Sequence, residues 1–306
     1  MKRERVIFII GPTGVGKTAF AVELAKRLKG EIISADSMQA YRFMDIMSQK
    51  PTPGERKAVL HHLVDFLDID DEYSAAEFIK RADPLIDKII KKNKRPLVVG
   101  GSGLYIKALV DGLFPAPEKD TAFRKRLQKE ARSSGTKKLH DRLKIIDPEA
   151  SSKIHHNDLR RIIRALEIFH LTGTPISAHK GMTKGIKDSY AVRLYGLIMP
   201  RPMLYERIEK RADEMLEAGL VEEVKLIRRR DPSMTASSSL GYKEILGYLD
   251  KRYSLDCARE LLKKNTKHLA KKQLSWFKAD NRIRWIDLKE ISQENAIRLI
   301  VTECKV

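Results

Sequence analysis

The chain has 306 residues, of which 42% are hydrophobic and 33% are charged, and its formal net charge is +19. That composition excludes a disordered chain and predicts a folded protein with one large domain or two smaller ones. No apolar run approaches the roughly 20 residues that cross a bilayer, the N-terminus does not resemble a secretory leader, and the two distant cysteines suit a reducing compartment, so we predict a cytoplasmic protein without a membrane partner.

Short apolar runs alternate with helical patterns in the first hundred residues. Val6–Ile10 ends at a glycine-rich turn, and Ala19–Leu28 then has the apolar spacing of a helix. Ile32–Ser34 is a second short apolar run, Ala75–Lys92 is a second helical pattern, and Leu97–Val99 is a third run. Strands that alternate with helices predict a parallel sheet with helices on both faces.

The pattern changes after residue 119. Residues 121–179 predict helices without a strand, and the amphipathic segment Asp158–Leu171 is the clearest of them. The later elements are predicted as a strand at Leu194–Met199, helices at Tyr205–Arg228 and Ser254–Lys278, and a last strand at Ile283–Ile286. We therefore predict an α/β fold whose core, residues 1–119 and 190–306, is interrupted by a helical insertion at residues 120–189.

The positive charge is concentrated in two segments. Residues 121–190 contain 16 Lys and Arg against 7 Asp and Glu, and residues 251–280 contain 9 against 3. Clustered basic residues favour a nucleic-acid partner, because each phosphate that is neutralised releases condensed counterions. The alternative is a solvated surface that only keeps the protein soluble.

A phosphate-binding motif follows the first predicted strand and opens the first predicted helix, which is the context that a Walker A loop requires. Its glycines let backbone N–H groups converge on phosphate oxygens, Lys17 adds a point charge, and the Thr18 hydroxyl can bind Mg²⁺. The members of the loop are Gly11, Pro12, Thr13, Gly14, Val15, Gly16, Lys17 and Thr18.

The loop recognises linked phosphates, whether in a nucleotide or in a diphosphate ester, so it does not identify the substrate. The strand candidate Leu97–Val99 runs into Gly100-Gly101-Ser102, where many P-loop NTPases have an Asp that holds Mg²⁺. This counts against a motor ATPase or a helicase. A small-molecule kinase, or a transferase that holds a leaving group in the loop, remains.

A carboxylate follows the second predicted strand. Ligands of open α/β sheets bind beyond the carboxyl ends of the strands, so Asp36 should face the same crevice as the phosphate loop. Asp36 could take a proton from an incoming nucleophile, and Ser37 and Gln39 could read the edge of a base. Asp36 could equally be a cap for the segment that follows.

These residues resemble a known family, the tRNA dimethylallyltransferases, also called tRNA isopentenyltransferases. The resemblance runs along most of the chain, and its blocks are specific when taken together and in order. The blocks are Gly11–Thr18, Asp36–Gln39 with Tyr41, Gly100–Tyr105, Asp158–Glu167, Arg207–Arg211, Leu240–Glu244 and Lys267–Trp276.

The resemblance implies a P-loop kinase-like core with a helical insertion that binds tRNA. It implies that dimethylallyl diphosphate donates its prenyl group to N6 of adenosine 37, beside the anticodon, and that Mg²⁺ is the cofactor, held through Thr18. Lys17 and Arg211 would stabilise the departing diphosphate, Asp36 would be the base, and Ser102, which stands where the family usually has Thr, would orient the amine or a diphosphate oxygen.

The resemblance also implies contacts with the tRNA anticodon stem-loop, made by a protein that we expect to be a monomer. Arg160 stands where the family commonly has Gln, so a base contact there becomes a phosphate contact. We expect about half of Lys263, Lys264, Lys267, Lys271 and Lys272 to meet the tRNA backbone, and Trp276 and Phe277 to pack in the core. The predicted tRNA-contacting residues are Asp36, Ser37, Met38, Gln39, Ser102, Arg124, Arg160, Arg161, Ile162, Ile163, Arg164, Ser238, Ser239, Leu240, Gly241, Tyr242 and Lys243.

Three other functions compete with this one. The chain could be an ATP-dependent small-molecule kinase or an adenylate isopentenyltransferase that modifies free AMP, but neither substrate needs a basic helical module. It could also be a nucleotide-gated RNA-binding protein without catalysis, against which the stretch Asp36–Gln39 argues.

Overall fold

The computed structural model describes residues 4–114, 117–179 and 183–305. The chain divides into two compact units, one formed by residues Met1–Val110 and Ile186–Val306 and the other by Asp111–Gly185. The first is the core unit and the second is the inserted unit. Among the described residues, no helix has the length and apolar character that a membrane span requires.

The core unit is built on six strands, all paired in parallel. They are β1 (Arg5–Ile10), β2 (Gly30–Ser34), β3 (His61–His62), β4 (Arg95–Gly100), β5 (Ala191–Ile198) and β6 (Ile283–Asp287). Their order in the sheet is β3-β2-β4-β1-β5-β6, so β1 lies between β4 and β5. This confirms the predicted α/β class with a parallel sheet, and it adds the two-residue strand β3, which is too short to give a sequence pattern.

Fourteen α-helices are found among the described residues. The core unit contains α1 (Lys17–Leu28), α2 (Pro53–Ala58), α3 (Ala75–Lys91) and α4 (Gly103–Asp111), and the inserted unit contains α5 (Thr121–Ser134), α6 (Thr136–Ile146), α7 (Pro148–Lys153) and α8 (Leu159–Thr172). The core unit resumes with α9 (Arg201–Glu217), α10 (Leu220–Arg228), α11 (Met234–Ser237), α12 (Tyr242–Leu249), α13 (Leu255–Lys278) and α14 (Gln293–Lys305).

The helix predicted at Tyr205–Arg228 is in fact two helices, α9 and α10. Gly219 separates them with a φ of +99°, a left-handed conformation that an L side chain rarely adopts. The apolar spacing continues through the break, because the C-terminal half of α9 and the apolar face of α10 pack on the same core, and this is why the sequence pattern alone concealed it.

Apolar layers cover both faces of the sheet. Successive residues of a strand point to opposite faces, so Val6, Phe8 and Ile10 of β1 enter one layer, while Ile7 and Ile9 enter the other. All five are fully buried. The continuous apolar run at Val6–Ile10 is therefore the signature of a central strand that is buried on both sides.

The inserted unit has a separate apolar core. Residues from α5, α6 and α8 form it, among them Phe123, Leu127, Leu139, Leu143 and Ile162, all buried. Asp120 and Asp158 cap α5 and α8 by accepting the N–H groups of Phe123 and Arg161.

Candidate active site

Three neighbouring strands end at the same edge of the sheet and lead into the predicted site residues. β1 leads into the phosphate loop, β2 into Asp36, and β4 into Gly101 and Ser102. The register of the ladder puts Ile10 opposite Gly100 and Ser34 opposite Val99, so the three turns begin side by side. A parallel sheet places such turns at its carboxyl edge, where ligands of α/β proteins bind.

The N-terminus of α1, where the phosphate loop ends, has no side-chain cap for its backbone N–H groups. Gly16 is the N-cap of α1 with a φ of +96°, and no side chain caps the helix. The first turn of α1 contains no acidic residue, so nothing within the helix neutralises its positive end. The N-terminus of α1 is therefore suited to an anion such as a diphosphate.

Two cations lie beside the loop. The Lys17 ammonium donates a hydrogen bond of 2.8 Å to the Pro12 carbonyl. Desolvation lowers the pKa of Lys17 from 10.5 to about 8, against the opposing effect of the Asp36 carboxylate, and the charge of Arg211 lowers it further. Desolvation also lowers the pKa of Arg211, to about 10. A bound anion would restore the charge that desolvation disfavours on both groups.

The Asp36 carboxyl group lies close to both cations, since it raises the pKa of Lys17 and that of Arg211. The Asp36 carboxylate accepts the N–H of Met38 at 3.0 Å, so one oxygen holds the turn after β2. The capping role and the catalytic role, which the sequence left open as alternatives, are therefore compatible. One oxygen is used in the turn, and the side chain still lines the cavity described below.

Ser102 connects the turn after β4 to the turn after β2. Its hydroxyl accepts the N–H of Ser37 at 3.4 Å, and its own N–H donates to the Ala35 carbonyl at 3.3 Å. Gln39 is held within the same segment, because its amide accepts the Ser34 hydroxyl at 2.7 Å and donates to the Gln49 carbonyl at 3.2 Å. These bonds use one of the two N–H donors and one of the two lone pairs of the amide, so Gln39 keeps a donor and an acceptor for the edge of a base.

A cavity of about 1000 Å³ brings these groups together. Lys17, Thr18, Asp36, Ser102 and Arg211 all line it. Residues from distant parts of the sequence complete its wall. Among them are Thr13, Gly14, Gly16, Ser37, Met38, Gln39, Ser238, Ser239, Leu240, Gln273 and Trp276. The volume is within the range of sites that enclose a small ligand.

The loop is suited to a metal that is shared with a phosphate ligand. The described residues contain no cluster of three or more His, Cys, Asp or Glu side chains that could hold a metal ion by themselves. Thr18 lines the cavity next to the N-terminus of α1. Mg²⁺ usually takes one or two protein oxygens together with substrate phosphates and water, so the residues present fit such an ion only when the phosphate ligand is bound.

Helix α13 closes one side of the cavity. Gln273 and Trp276 line it, and a Cβ at Gly103 would lie 2.3 Å from the Trp276 indole. Core packing was expected for Trp276 and Phe277, but the structure divides them. Phe277 is buried, whereas Trp276 is 41% exposed, so the expectation for Trp276 was wrong. The helix turns Phe277 inward and leaves the indole over the glycine turn.

The five lysines of α13 named above as candidates for tRNA contact also fall into two groups. Lys263 forms an ion pair with Asp213 at 2.9 Å, and Lys267 is paired with Glu209. Lys264, Lys271 and Lys272 are exposed, and within the described part of the chain no carboxylate pairs with them. The structure thereby indicates which members of the basic run are available to a polyanion.

In the inserted unit, two of the predicted tRNA-contacting arginines are held by a buried carboxylate. Glu167 is fully buried, and Arg124 donates two hydrogen bonds of 2.6 Å to its carboxylate. Arg164 donates to the same carboxylate, and the Asp120 N–H donates at 2.9 Å. Burial alone would raise the pKa of Glu167, but these bonds and charges lower it below its usual value. The side chains of Arg124, Arg164 and Glu167 together carry a net charge of +1.

Some predicted contacts are not accessible to a ligand. The side chains of Ile162 and Ile163 are buried in the core of the inserted unit, and that of Tyr242 is buried in the core unit. Gly241 is also buried, at the N-cap of α12. The side chains of Ile162, Ile163 and Tyr242 are therefore turned into the apolar cores and away from a ligand, and Gly241 has no side chain. Arg160, Arg161, Ser238 and Lys243 are exposed.

No individual role was predicted for Gln273 or Glu167 from the sequence. The hydrogen-bond partners of Gln273, Thr13 and Gly101, lie 260 and 172 residues away in the chain, so no local sequence pattern indicates them. Glu167 was part of the block at Asp158–Glu167, but its burial follows only from the packing of α8 on α5.

The chain is similar to a known protein family and to named members of it. The family model described as "IPP transferase" matches residues 39–280. A "tRNA dimethylallyltransferase" of Carboxydothermus hydrogenoformans is 47% identical over 305 residues, which cover 99% of this chain and 98% of that protein.

Two solved structures are similar along nearly the whole chain. The full-length tRNA isopentenylpyrophosphate transferase of Bacillus halodurans is 40% identical with a TM-score of 0.73, and the match covers 98% of this chain and 95% of that one. A eukaryotic dimethylallyltransferase described as acting on tRNA is 27% identical with a TM-score of 0.79, and the match covers 96% of this chain and 78% of that one.

Proposed function

This chain belongs to the IPP transferase family, and we propose that it moves the dimethylallyl group of dimethylallyl diphosphate to N6 of adenosine 37 in tRNA. The enzyme is a tRNA prenyltransferase. The comparisons favour acceptance by tRNA over acceptance by free AMP and over a small-molecule kinase. We place the reaction in the cytoplasm and expect a monomer.

The diphosphate of the donor would lie against the N-terminus of α1. The bond between the allylic carbon and the diphosphate oxygen breaks as the new bond to N6 forms, so negative charge builds on the departing diphosphate. The N–H groups of the loop, Lys17 and Arg211 are fixed around that charge before it develops, which is the arrangement that stabilises a transition state most.

The acceptor amine would meet Asp36 on the other side of the cavity. An exocyclic adenine amine is a weak nucleophile, and it must lose a proton as it gains the prenyl carbon. Asp36 takes that proton. The loss of its negative charge also raises the net charge of the group formed by Lys17, Arg211 and Asp36 from +1 to +2. Proton removal thereby strengthens the hold on the departing diphosphate.

Members of this prenyltransferase family typically need a divalent metal ion. We propose Mg²⁺, held by the Thr18 hydroxyl together with diphosphate oxygens and water. When bound, such an ion supplies positive charge to the leaving group. Lys17 and Arg211 hold the same group independently of the metal.

The observation that supports this proposal most strongly is that one cavity is lined both by the phosphate loop and by Asp36. A leaving diphosphate and an acceptor amine need such a common space. Incubation with labelled dimethylallyl diphosphate, Mg²⁺ and either an anticodon stem-loop or AMP tests it. We expect label on the stem-loop alone, and label on AMP alone would refute the proposal.

We propose that tRNA phosphates lie along the unpaired lysines of α13 and on the exposed Arg160 and Arg161 of the inserted unit. The target adenine must leave the loop stack to enter the cavity, which costs a few kcal/mol. Phosphate contacts of this kind offset such a cost, and the half-exposed Trp276 offers a stacking surface beside the cavity.

Lys271→Ala is expected to weaken stem-loop binding and to make its salt dependence shallower. Loss of one phosphate contact should reduce the slope of log Kd against log salt by about 0.7 to 0.9. The matched control is Lys263→Ala on the same helix, because Lys263 is already paired with Asp213 and only 16% of its side chain is exposed. Equal slopes for Lys271→Ala and the wild type would show that Lys271 does not contact a tRNA phosphate.

A further inference from the structure

The hydrogen-bond ladder between β1 and β4 stops where the active site begins. Its last register pair is Ile10 and Gly100, and beyond it the two chains separate into the phosphate loop and the turn at Gly101. One side chain from α13 spans the gap. The Gln273 amide accepts the Thr13 N–H at 2.8 Å and donates to the Gly101 carbonyl at 3.1 Å.

The two bonds of Gln273 need a side chain that accepts and donates at once. A primary amide does this in the same way as a backbone peptide. Gln273 therefore joins the two chains by hydrogen bonds at the point where the β1–β4 ladder has ended. A carboxylate would lack the donor, and a lysine would lack the acceptor. The fit is close, since a Cβ at Gly101 would lie 2.5 Å from the Gln273 amide nitrogen.

The turn that Gln273 holds is itself joined to the acceptor side of the cavity. Ser102 follows Gly101 and is bonded to Ala35 and Ser37, which flank Asp36. A Cβ at Gly100 would come within 2.3 Å of the Ala35 carbonyl oxygen, so these backbones are already in close contact. The Gln273 amide therefore connects the loop assigned to the diphosphate with the segment assigned to the adenine.

We propose that Gln273 is a positioning residue that sets the separation between the diphosphate and the acceptor amine, an inference that rests on the proposed function. In-line displacement requires the reacting atoms about 3 to 3.5 Å apart, and an error of about 1 Å costs roughly 100-fold in rate. The strands fix the two turns only up to Ile10 and Gly100. Gln273 fixes them where the substrates lie.

Gln273→Met and Gln273→Glu test this role. Methionine keeps the length of the side chain but makes neither bond, and glutamate keeps the acceptor for Thr13 but loses the donor for Gly101. We expect the single-turnover rate at saturating donor and stem-loop to fall about 10- to 100-fold in both variants. For Gln273→Met, the Kd of inorganic diphosphate and that of the stem-loop should stay within about threefold of wild type. The control is Gln293→Met, at an exposed position of α14.

Two outcomes would overturn the proposal. If Gln273→Met raised the stem-loop Kd tenfold while the rate at saturation stayed at the wild-type value, Gln273 would be a direct tRNA contact, like its exposed neighbours Lys271 and Lys272. If thermal stability fell while the rate at saturation was kept, the amide would only hold the fold together.

A measurement without turnover separates this inference from the proposed function. Hydrogen exchange of the Thr13 amide should be faster in Gln273→Met than in the wild type, because that N–H loses its side-chain partner. Unchanged exchange would refute the link itself. Faster exchange together with a wild-type enzyme that does not prenylate the stem-loop would refute the proposed function and leave the link in place.

Discussion

Asp36→Asn should lower the single-turnover rate of prenyl transfer about 10²- to 10⁴-fold and leave the Kd of the stem-loop within about threefold. Asparagine has nearly the same shape, and its amide oxygen can still accept the Met38 N–H that Asp36 accepts at 3.0 Å. The turn after β2 is therefore kept. What disappears is the carboxylate that we propose as the acceptor of the N6 proton and that raises the pKa of Lys17 and that of Arg211.

The measurement is a rapid-quench single turnover with labelled donor, together with a filter-binding titration of the stem-loop. Asp256→Asn is the control, because Asp256 is an exposed carboxylate at the start of α13 that pairs with Arg259. If stem-loop affinity collapsed while the bound complex still turned over at the wild-type rate, Asp36 would be a binding residue and the catalytic assignment would fail.

Lys17→Met should lower kcat/KM for dimethylallyl diphosphate about 10²- to 10³-fold, because a fixed cation is lost where the leaving group gains charge. The Kd of inorganic diphosphate should rise as well. Lys26→Met is the matched control on the same helix, since Lys26 is exposed and pairs with Glu23. A Lys17→Met enzyme with unchanged kcat/KM would show that the N–H groups and Arg211 suffice.

The pH dependence of kcat/KM tests the role of the Lys17 ammonium separately from the other groups of the cavity. Desolvation lowers its pKa to about 8 in the free protein, so the ammonium is present below pH 8 and lost above it. Because kcat/KM reports the free enzyme, it should decline as the pH rises through about 8 in the wild type. This decline of kcat/KM should be absent in Lys17→Met. A decline that persists in the variant would have to come from another group.

The two substitutions remove opposite charges from one cavity, and their effects should differ in kind. Loss of Asp36 should slow the step in which the N–H bond breaks and keep the affinity for the stem-loop, and the loss of its negative charge beside Lys17 and Arg211 should strengthen diphosphate binding. Loss of Lys17 affects the diphosphate both before and during the reaction, so affinity and rate fall together. A double variant should lose less than the sum of the two free energies, because each group acts on the charge of the other.

The sequence alone determined five of the six strands, the phosphate loop and the position of Asp36 after β2. These are local features: apolar runs buried on two faces, glycines and a lysine at fixed spacing, and a carboxylate at the end of a strand. A short window of sequence specifies each of them, because neighbours along the chain are also neighbours in space. The parallel topology followed from the alternation of strands and helices.

Only the tertiary structure decided which residues of the basic and apolar patterns are available. Lys263 and Lys271 look alike in the sequence, but an acidic residue of α9 pairs with the first and not with the second. Trp276 and Phe277 are adjacent, yet the rotation of α13 exposes one and buries the other. Gln273 acquires its two bonds from segments 260 and 172 residues away. Packing brings such partners together across the fold, and no spacing along the chain encodes the distance between them.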